Sequence, residues 1–373
     1  MYDVIIIGGG LSGLITARLL ALNNLSVVVI EKNHYPFHRV CGEYISNEVK
    51  PFLQHIDCFP SHLQPTEINT LEITAPSGFK LNIALPLGGF GISRYAYDDF
   101  LKEKVREAGA EIIEGEQVAS ILEEPEGMVC TTQSHKIFRS KVVLGAQGKR
   151  SIIDKHFNRA FIEKRSPYIG VKYHIEIDRP ENLIALHNFS QGYCGISKIE
   201  NNRYCLCYLT TRENLRQHGS IVAMEKAILY QNPYLKSIFA EAKFLFEAPI
   251  VINEISFAPK TTREGNVLFC GDAAGMIAPL CGNGMAMAIH SAKLLSESIL
   301  KHYTFNSPNI NTIHSSYQKE WNRNFKQRLW IGRTIQKLFG ENALTELSLR
   351  TLSLSPALLR FLIKQTHGKT LKI

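Results

Sequence analysis

Four residues near the start of the chain have types and spacing that suit the binding of a nucleotide. Gly8, Gly10 and Gly13 follow an apolar run and fit the pattern G-x-G-x-x-G. The first glycine permits a tight turn, the second lets a pyrophosphate lie against the backbone, and the third lets a helix pack closely on the strand. Glu31 ends the next apolar run, 23 positions after Gly8. A carboxylate that binds ribose belongs at about this place.

The elements around these residues must bring them to one edge of a parallel sheet. The pattern predicts a strand at 3–7, a helix that ends near Leu22 and a second strand at 26–30. The helix N-terminus offers free N–H groups to phosphates, so we include Leu11 and Ser12 among the predicted contacts. Lys32, directly after the second strand, is also a predicted contact. A glycine turn followed by a surface glutamate is the simpler alternative. The agreement of strand, glycines, helix, strand and acid favours the nucleotide site.

A second set of candidates lies just past the second strand. Arg39 is suited to donate charged hydrogen bonds to a phosphate. Cys41 is either a packed thiol or part of the cofactor pocket. The residues that follow, Tyr44 to Leu53, have a pattern that predicts a helix.

A third set follows a short apolar run about 260 residues after the first glycine motif. An acid just past a strand can accept hydrogen bonds from ribityl or ribose hydroxyls. Glycines at the start of a helix let its N-terminus approach a flat ring and stabilise negative charge on a reduced flavin. The residues of this set are Gly271, Asp272, Gly282, Asn283 and Gly284, and they lead into a long predicted helix.

The rest of the pattern predicts an α/β fold in which a Rossmann-like nucleotide-binding domain carries an inserted antiparallel β-sheet domain and a helical C-terminus. Short strands around the turn Pro76–Gly78, and longer ones from about 167 to 257, form the inserted sheet, which we expect to bind substrate. The predicted domains are residues 1–66, 94–166 and 258–302 for the cofactor, 67–93 and 167–257 for the substrate, and 303–373 for the helical segment.

The net charge of +8 is confined to the C-terminal segment. Residues 321–373 hold ten Lys and Arg against two acids, whereas residues 1–320 balance. Without a recognition motif, nucleic acid is a poor explanation. An anionic membrane surface, a partner or a solvated basic face remain open. The last helix is predicted to begin at Ser355-Pro356, and its apolar residues either complete the core over the substrate cavity or dip into a bilayer.

The cysteines and the N-terminal region indicate the cellular compartment of the protein and the state of its thiols. The eight cysteines show no C-x-x-C pair and no metal-ligand spacing, which predicts reduced thiols, no metal site and a cytoplasmic protein. The apolar stretch 4–22 contains three glycines and no basic region precedes it. It is therefore interpreted as neither a signal peptide nor a membrane span. A contact with the inner membrane face stays possible, and nothing in the sequence sets the oligomeric state.

The chain resembles a family, the FAD-dependent oxidoreductases that include aromatic hydroxylases and geranylgeranyl reductases. The resemblance rests on GGGLSG with Glu31, on the stretch from Arg94 to Leu101, on the loop GAQG and on GDAAGMIAPLCGNG. The segments HRVCGEYIS and, more loosely, GYCGISK are similar to the reductase branch, although Gly195 and Ser197 depart from it. The resemblance implies a para-hydroxybenzoate-hydroxylase-like fold. It also implies that FAD is held by Gly8, Gly10, Gly13, Glu31, Arg39, Arg94, the backbone of Val118, and Asp272.

One departure concerns the electron donor. Gln147 stands where the family usually has an aspartate linked to pyrophosphate and NADPH handling. Glutamine can still hydrogen-bond but carries no charge. NAD(P)H is expected as the electron donor, but the missing charge at Gln147 argues against the usual nicotinamide route.

Three functions follow from the resemblance. The favoured one is a reductase of C=C bonds in an isoprenoid or other apolar substrate, with FAD bound non-covalently. The alternatives are a flavin monooxygenase of an aromatic or polyene substrate and a non-catalytic FAD-binding module. A halogenase is disfavoured because the chain lacks W-x-W-x-I-P. The sequence identifies no catalytic acid or base, and Cys41 is the one candidate that we name.

Overall fold

The computed structural model describes residues 1–163, 165–304, 308–338 and 342–372. The strands are β1 (Tyr2–Ile7), β2 (Val27–Glu31), β3 (Tyr44–Ser46), β4 (Thr66–Thr74), β5 (Lys80–Gly91), β6 (Glu111–Glu114), β7 (Val118–Glu124), β8 (Gly127–Thr132), β9 (Ile137–Gly145), β10 (Tyr168–Glu176), β11 (Leu183–Phe189), β12 (Gly192–Lys198), β13 (Tyr204–Thr211), β14 (Lys243–Phe244), β15 (Ile250–Asn253), β16 (Arg263–Glu264) and β17 (Val267–Phe269). The α-helices are α1 (Leu11–Ala21), α2 (Lys50–His55), α3 (Arg94–Glu107), α4 (Ile152–His156), α5 (Arg212–His218), α6 (Ile221–Ile228), α7 (Pro233–Glu241), α8 (Gly284–His302), α9 (Ile310–Leu338), α10 (Asn342–Ser353) and α11 (Pro356–Thr366).

The first sheet has the order β16-β17-β9-β1-β2-β6, and β7 and β8 extend it beside β9. Its central pairs, from β17 across to β6, are parallel. Nearly every residue of β1, β2 and β17 is buried, and α1 packs against β1 and β2. Continuous apolar runs are what parallel strands covered on both faces require. The carboxyl ends of β1, β2, β9 and β17 therefore meet at one edge, as the sequence predicted.

The second sheet has the order β14-β10-β13-β12-β11-β4-β5-β3, with β15 beside β10. All of its pairs are antiparallel except that of β4 with β11. The turn at Pro76–Gly78 and the antiparallel insertion after it are confirmed. We propose that the two sheets are the cores of the two predicted domains.

The helix predicted for Tyr44 to Leu53 is wrong in its first part. Tyr44–Ser46 is strand β3, which pairs with Gly89–Gly91 of β5. Only Lys50–His55 is α-helical, after a single 3₁₀ turn. The pairing depends on a partner strand more than 40 positions away, so the local periodicity does not reveal it. The sequence analysis also missed α5 and α7, which begin directly after Thr211 and Asn232. The side chains of these two residues cap their helices.

The C-terminal helices pack against the second sheet. Leu349 of α10 and Leu359 of α11 are buried in one apolar cluster with Ile68, Met276 and Leu280. As predicted, α11 starts with Ser355 as its cap and Pro356 at its first position. In the part of the chain described here, no helix has the length and apolar character needed to cross a bilayer.

Candidate cofactor and active site

The glycine turn after β1 is held tightly by its own backbone. Gly8 has φ +104°, and a Cβ there would lie 2.6 Å from the carbonyl oxygen of Ala146. A Cβ at Gly13 would overlap the carbonyl oxygen of Gly8. These two glycines allow strand, turn and helix to pack, as the motif predicts.

Three other glycines leave open space beside the backbone. A Cβ at Gly10 would meet only Arg94 Nη2, at 3.7 Å; at Gly284 it would meet only Ile277, at 3.9 Å; at Gly42 it would meet nothing within 4 Å. Gly10 precedes α1 and Gly284 opens α8, so two helix N-termini are accessible without a side chain in front of them. This arrangement fits a ligand with phosphates and a flat ring.

The buried carboxylate of Glu31 braces the glycine turn from the end of β2. Its Oε2 accepts the Gly9 N–H at 2.8 Å and lies 3.4 Å from Arg39 Nη2. Its Oε1 accepts from the side chain of Asn33 at 2.8 Å. Lys32, beside it, is exposed. The contact with Gly9 places Glu31 at the turn where a ribose contact is expected.

Two arginines converge on one buried acid that the sequence reading missed. Arg94 donates to both carboxylate oxygens of Asp98 at 2.7 Å, and Arg39 Nε donates to Oδ2 at 3.0 Å. Asp98 is fully buried. Its position four residues after Arg94 in a predicted helix was the available signal. Asp98 thus fixes both guanidinium groups beside the glycine turn.

Asp272 lies in a single 3₁₀ turn, Gly271–Ala273, that follows β17. Burial raises the pKa of its carboxyl group, and Lys260 and Arg94 oppose that rise. Lys260 Nζ donates to the carbonyl oxygens of Lys149 and Asp272 at 2.8 and 2.7 Å. The Gly271 N–H is bonded to Ser291 Oγ, and a Cβ at Gly271 would approach Ser12 Oγ to 2.5 Å. Lys260 therefore ties the loops after β9 and β17 together.

Gln147 follows β9 at the same edge. Its Nε2 donates to Asp154 Oδ1 at 3.4 Å, whereas its Oε1 is buried and has no hydrogen-bond partner among the described residues. A buried amide oxygen usually accepts a hydrogen bond, so this one is available to a donor group. Val118, also predicted as a contact, is buried at the start of β7.

The turn before α8 is Pro279–Cys281, and Gly282 after it has φ +63°. Asn283 precedes α8, and its Nδ2 donates to Glu48 Oε2 at 3.2 Å. Arg328 of α9 bonds the same carboxylate at 3.1 Å, and the backbone N–H of Gly368 bonds it as well. Glu48 therefore links the start of α8 to the C-terminal helices.

Cys41 lies beside the start of α8. Its thiol donates to Met285 Sδ at 3.3 Å, and Met285 is the second residue of that helix. Burial raises the pKa of the Cys41 thiol, with Arg94 acting in the opposite direction. The group is therefore a neutral thiol at physiological pH.

A buried ion cluster lies directly behind Cys41. Lys172 Nζ donates to Glu43 Oε1 at 2.5 Å, and His174 Nε2 lies 2.7 Å from Glu43 Oε2. Burial alone would raise the pKa of Glu43, but Lys172 and His174 hold it at about 2. Lys172 also donates to the carbonyl oxygen of Arg39 at 3.1 Å. The cluster thus fixes the Arg39–Glu43 segment on β10.

Glu43, His174 and Cys205 also place three possible ligand atoms within 4.8 Å of one another. The ammonium group of Lys172 already neutralises Glu43, so we interpret this group as an ion cluster rather than a metal site. The sequence analysis missed this ion cluster, although Lys172 and His174 are two positions apart and so share one face of a predicted strand.

Comparison with known proteins identifies the family of the chain. A family model described as FAD binding domain matches residues 91–327, and one described as FAD dependent oxidoreductase matches residues 3–39. The chain belongs to this family of FAD-dependent oxidoreductases, and its cofactor is FAD.

Curated relatives match most of the chain at low identity. The chain is 24% identical over 356 residues to digeranylgeranylglycerophospholipid reductase 1 of Methanococcoides burtonii, with 91% of this chain and 84% of the relative covered. It is 25% identical over 334 residues to protein FixC of Escherichia coli K12, with coverages of 80% and 77%.

Solved structures share the fold. The flavin-dependent brominase Bmp2 matches with a TM-score of 0.81 at 17% identity, covering 100% of this chain and 94% of that one. PqsL of Pseudomonas aeruginosa, a probable FAD-dependent monooxygenase, matches with a TM-score of 0.70 at 16% identity and coverages of 92% and 98%. At these identities the matches define the architecture and leave the reaction open.

Proposed function

We propose that the protein is a C=C reductase of an apolar, isoprenoid-like substrate, with FAD bound non-covalently. The observation that carries this proposal is the neutral thiol of Cys41 at the start of α8, next to the open backbone of Gly42 and Gly284. The similarity to a geranylgeranyl-lipid reductase supports it.

The residues present suit FAD. The helix N-termini at Gly10 and Gly284 and the guanidinium group of Arg94 all favour negative charge. They therefore suit the phosphates of FAD and the edge of its ring that becomes negative on reduction. Glu31 and Asp272 are placed to accept hydrogen bonds from ribose and ribityl hydroxyls. When bound and reduced, FAD supplies a hydride equivalent.

Saturation of a C=C bond adds that hydride to one carbon and a proton to the other. The thiol of Cys41 can give the proton and recover one from water. Because its pKa is raised, the thiol keeps its proton until a more basic carbon develops. The apolar cluster under α10 and α11 is the proposed site for the hydrocarbon part of the substrate.

Replacing Cys41 tests the proposed role. In an anaerobic single turnover with dithionite-reduced holoenzyme and geranylgeraniol, C41A is expected to slow flavin reoxidation by about a hundredfold or more, because a positioned proton donor contributes about 10²–10⁴. Reduction of the flavin by dithionite should be unchanged. Equal reoxidation rates in wild type and C41A would contradict the role of the thiol.

We further propose NAD(P)H as the electron donor. Lys149 is part of the loop that contains Gln147, and Lys260 bonds to this loop. Burial lowers the pKa of each lysine to about 8. The unsatisfied amide oxygen of Gln147 can accept from a carboxamide group. Anaerobic mixing with NADH or NADPH should bleach the flavin. A flavin that dithionite bleaches but that neither NADH nor NADPH bleaches would refute this donor.

We also propose that the C-terminal helices dock on an anionic bilayer at the inner face of the membrane. Their inward residues Leu349 and Leu359 are buried, whereas Leu354 and Phe361 are 86% and 56% exposed. The segment also carries the net positive charge of the chain. An apolar face on a basic segment is complementary to anionic lipid.

A further inference from the structure

Two buried tyrosine hydroxyls lack a hydrogen-bond partner within the described part of the chain. Tyr44 and Tyr193 are 6% and 4% exposed and belong to the apolar cluster under α10 and α11. Among the residues that the structure describes, no group bonds either hydroxyl. Other buried tyrosines are satisfied: Tyr208 donates to Glu225 at 2.7 Å, and Tyr97 donates to the carbonyl oxygen of Cys58 at 3.1 Å. Leaving a buried hydroxyl unbonded costs stability, so the two exceptions need an explanation.

Tyr44 lies next to the turn that leads into α8, and Tyr193 interacts electrostatically with a residue of that turn. A Cβ at Gly282 would lie 3.6 Å from the ring of Tyr44. Tyr193, on β12, is within electrostatic reach of Cys281. The two hydroxyls are thus placed in the apolar cluster, close to the helix start where the flavin ring is proposed to lie.

The surroundings of these hydroxyls disfavour an anion. Burial raises the pKa of both phenols, and Glu48 raises that of Tyr44 further. Glu48 is itself ion-paired with Arg328 at 3.1 Å, so this pair brings no surplus positive charge. The two phenols stay neutral and are able to donate a hydrogen bond.

We propose that Tyr44 and Tyr193 bind an uncharged polar group, a hydroxyl or a carbonyl, on an otherwise apolar substrate. The inference rests on the proposed function and narrows its substrate class to neutral, oxygen-bearing hydrocarbons. It places the oxygen of the substrate near the start of α8 and its hydrocarbon part among the residues of the apolar cluster.

The test compares ligands of one skeleton that differ in the polar group. Geranylgeraniol, the hydrocarbon of the same skeleton and geranylgeranyl phosphate are titrated into the oxidised holoenzyme, and perturbation of the flavin spectrum gives the affinities. A second pair, 2-naphthol and naphthalene, repeats the comparison on an aromatic skeleton. We expect the alcohol to bind more tightly than the hydrocarbon by about two- to tenfold for each hydroxyl engaged, and the phosphate to bind no more tightly than the alcohol.

The variants Y44F and Y193F should each reduce the advantage of the alcohol and leave the affinity for the hydrocarbon unchanged. The matched control Y208F should keep that advantage. Thermal unfolding of the ligand-free holoenzyme gives a second measurement: Y44F and Y193F should melt at or above the temperature of wild type, whereas Y208F should melt below it. Melting of Y193F as low as that of Y208F would overturn the inference.

Equal binding of alcohol and hydrocarbon on both skeletons, or a preference for the phosphate, would also overturn it. A preference for 2-naphthol that Y44F and Y193F abolish, without any reduction of geranylgeraniol, would support the tyrosine site and contradict the reductase proposal. The two claims therefore fail separately.

Discussion

Glu31 joins the glycine turn to the end of β2 through its bond to the Gly9 N–H. If the same carboxylate binds a ribose hydroxyl, E31Q removes a charge-assisted bond, which is worth about 1.5–3 kcal/mol. We expect FAD affinity to fall by about ten- to a hundredfold, measured by titration of the apoprotein.

The matched control for this prediction is E114Q. Glu114 is the neighbour of Glu31 in the sheet register and bonds Tyr35 and Arg106 instead of the glycine turn. E114Q should bind FAD like wild type. An equal loss in both variants would show that the effect comes from the strand ends in general.

The ion pair of Glu43 and Lys172 predicts both a stability effect and a pH dependence. Removing one partner of a buried pair typically costs about 3–5 kcal/mol, so E43Q and K172M should each be strongly destabilised. The double variant E43Q/K172M should recover part of the loss, because no unpaired charge remains.

The sign of the pH dependence follows from the lowered pKa of Glu43. Folding favours the ionised carboxylate, so the stabilisation is complete above the ordinary value of 4.5 and is lost as the pH falls towards about 2. Denaturant unfolding of wild type and double variant across this range measures it. A double variant with the same acid dependence as wild type would contradict the assignment.

Gly10 and Gly13, at the start of α1, differ in the space around them and so give a matched pair of variants. A Cβ at Gly13 would overlap the carbonyl oxygen of Gly8, whereas one at Gly10 has open space. G13A should therefore lower the melting temperature of the apoprotein, and G10A should leave it unchanged but weaken FAD binding. Loss of fold in G10A, or unchanged FAD affinity, would show that this space does not hold the cofactor.

The sequence predicted the elements of the first sheet well because their signal is local. Apolar runs such as Val27–Ile30 and the glycines that follow β1 are short-range features. Strand β3 and the cluster of Glu43, Lys172 and His174 could not be found in this way. Glu43 lies 129 and 131 positions from its two partners, so only the folded chain brings them together.

In the whole molecule, the C-terminal segment completes the apolar core, and we propose that it also docks on a bilayer surface. Its buried residues close the apolar cluster, and the bonds of Glu48 to Arg328 and Gly368 hold it to the start of α8. The core and bilayer alternatives left open by the sequence are therefore compatible. The side chains of Arg360 and Lys364, which contribute to the predicted basic face, lie outside the described part.

Vesicle co-sedimentation tests the outer role. Wild type should bind anionic vesicles at low salt and lose much of this binding at high salt, because ions screen the charges. Replacing the exposed Leu354, Leu358 and Phe361 with serine should abolish binding. The control L122S removes an equally exposed leucine from β7 and should bind as wild type does. A wild-type chain that ignores anionic vesicles at low salt would exclude docking.

We propose that reduced FAD in this protein saturates a C=C bond without oxygen. Mixing dithionite-reduced holoenzyme with geranylgeraniol under strict anaerobiosis, followed by mass analysis of the product, tests it most directly. We expect the flavin to reoxidise and the product to gain two hydrogen atoms. A flavin that reoxidises only when oxygen is admitted, with a product that has gained an oxygen atom, would contradict the claim and identify a monooxygenase.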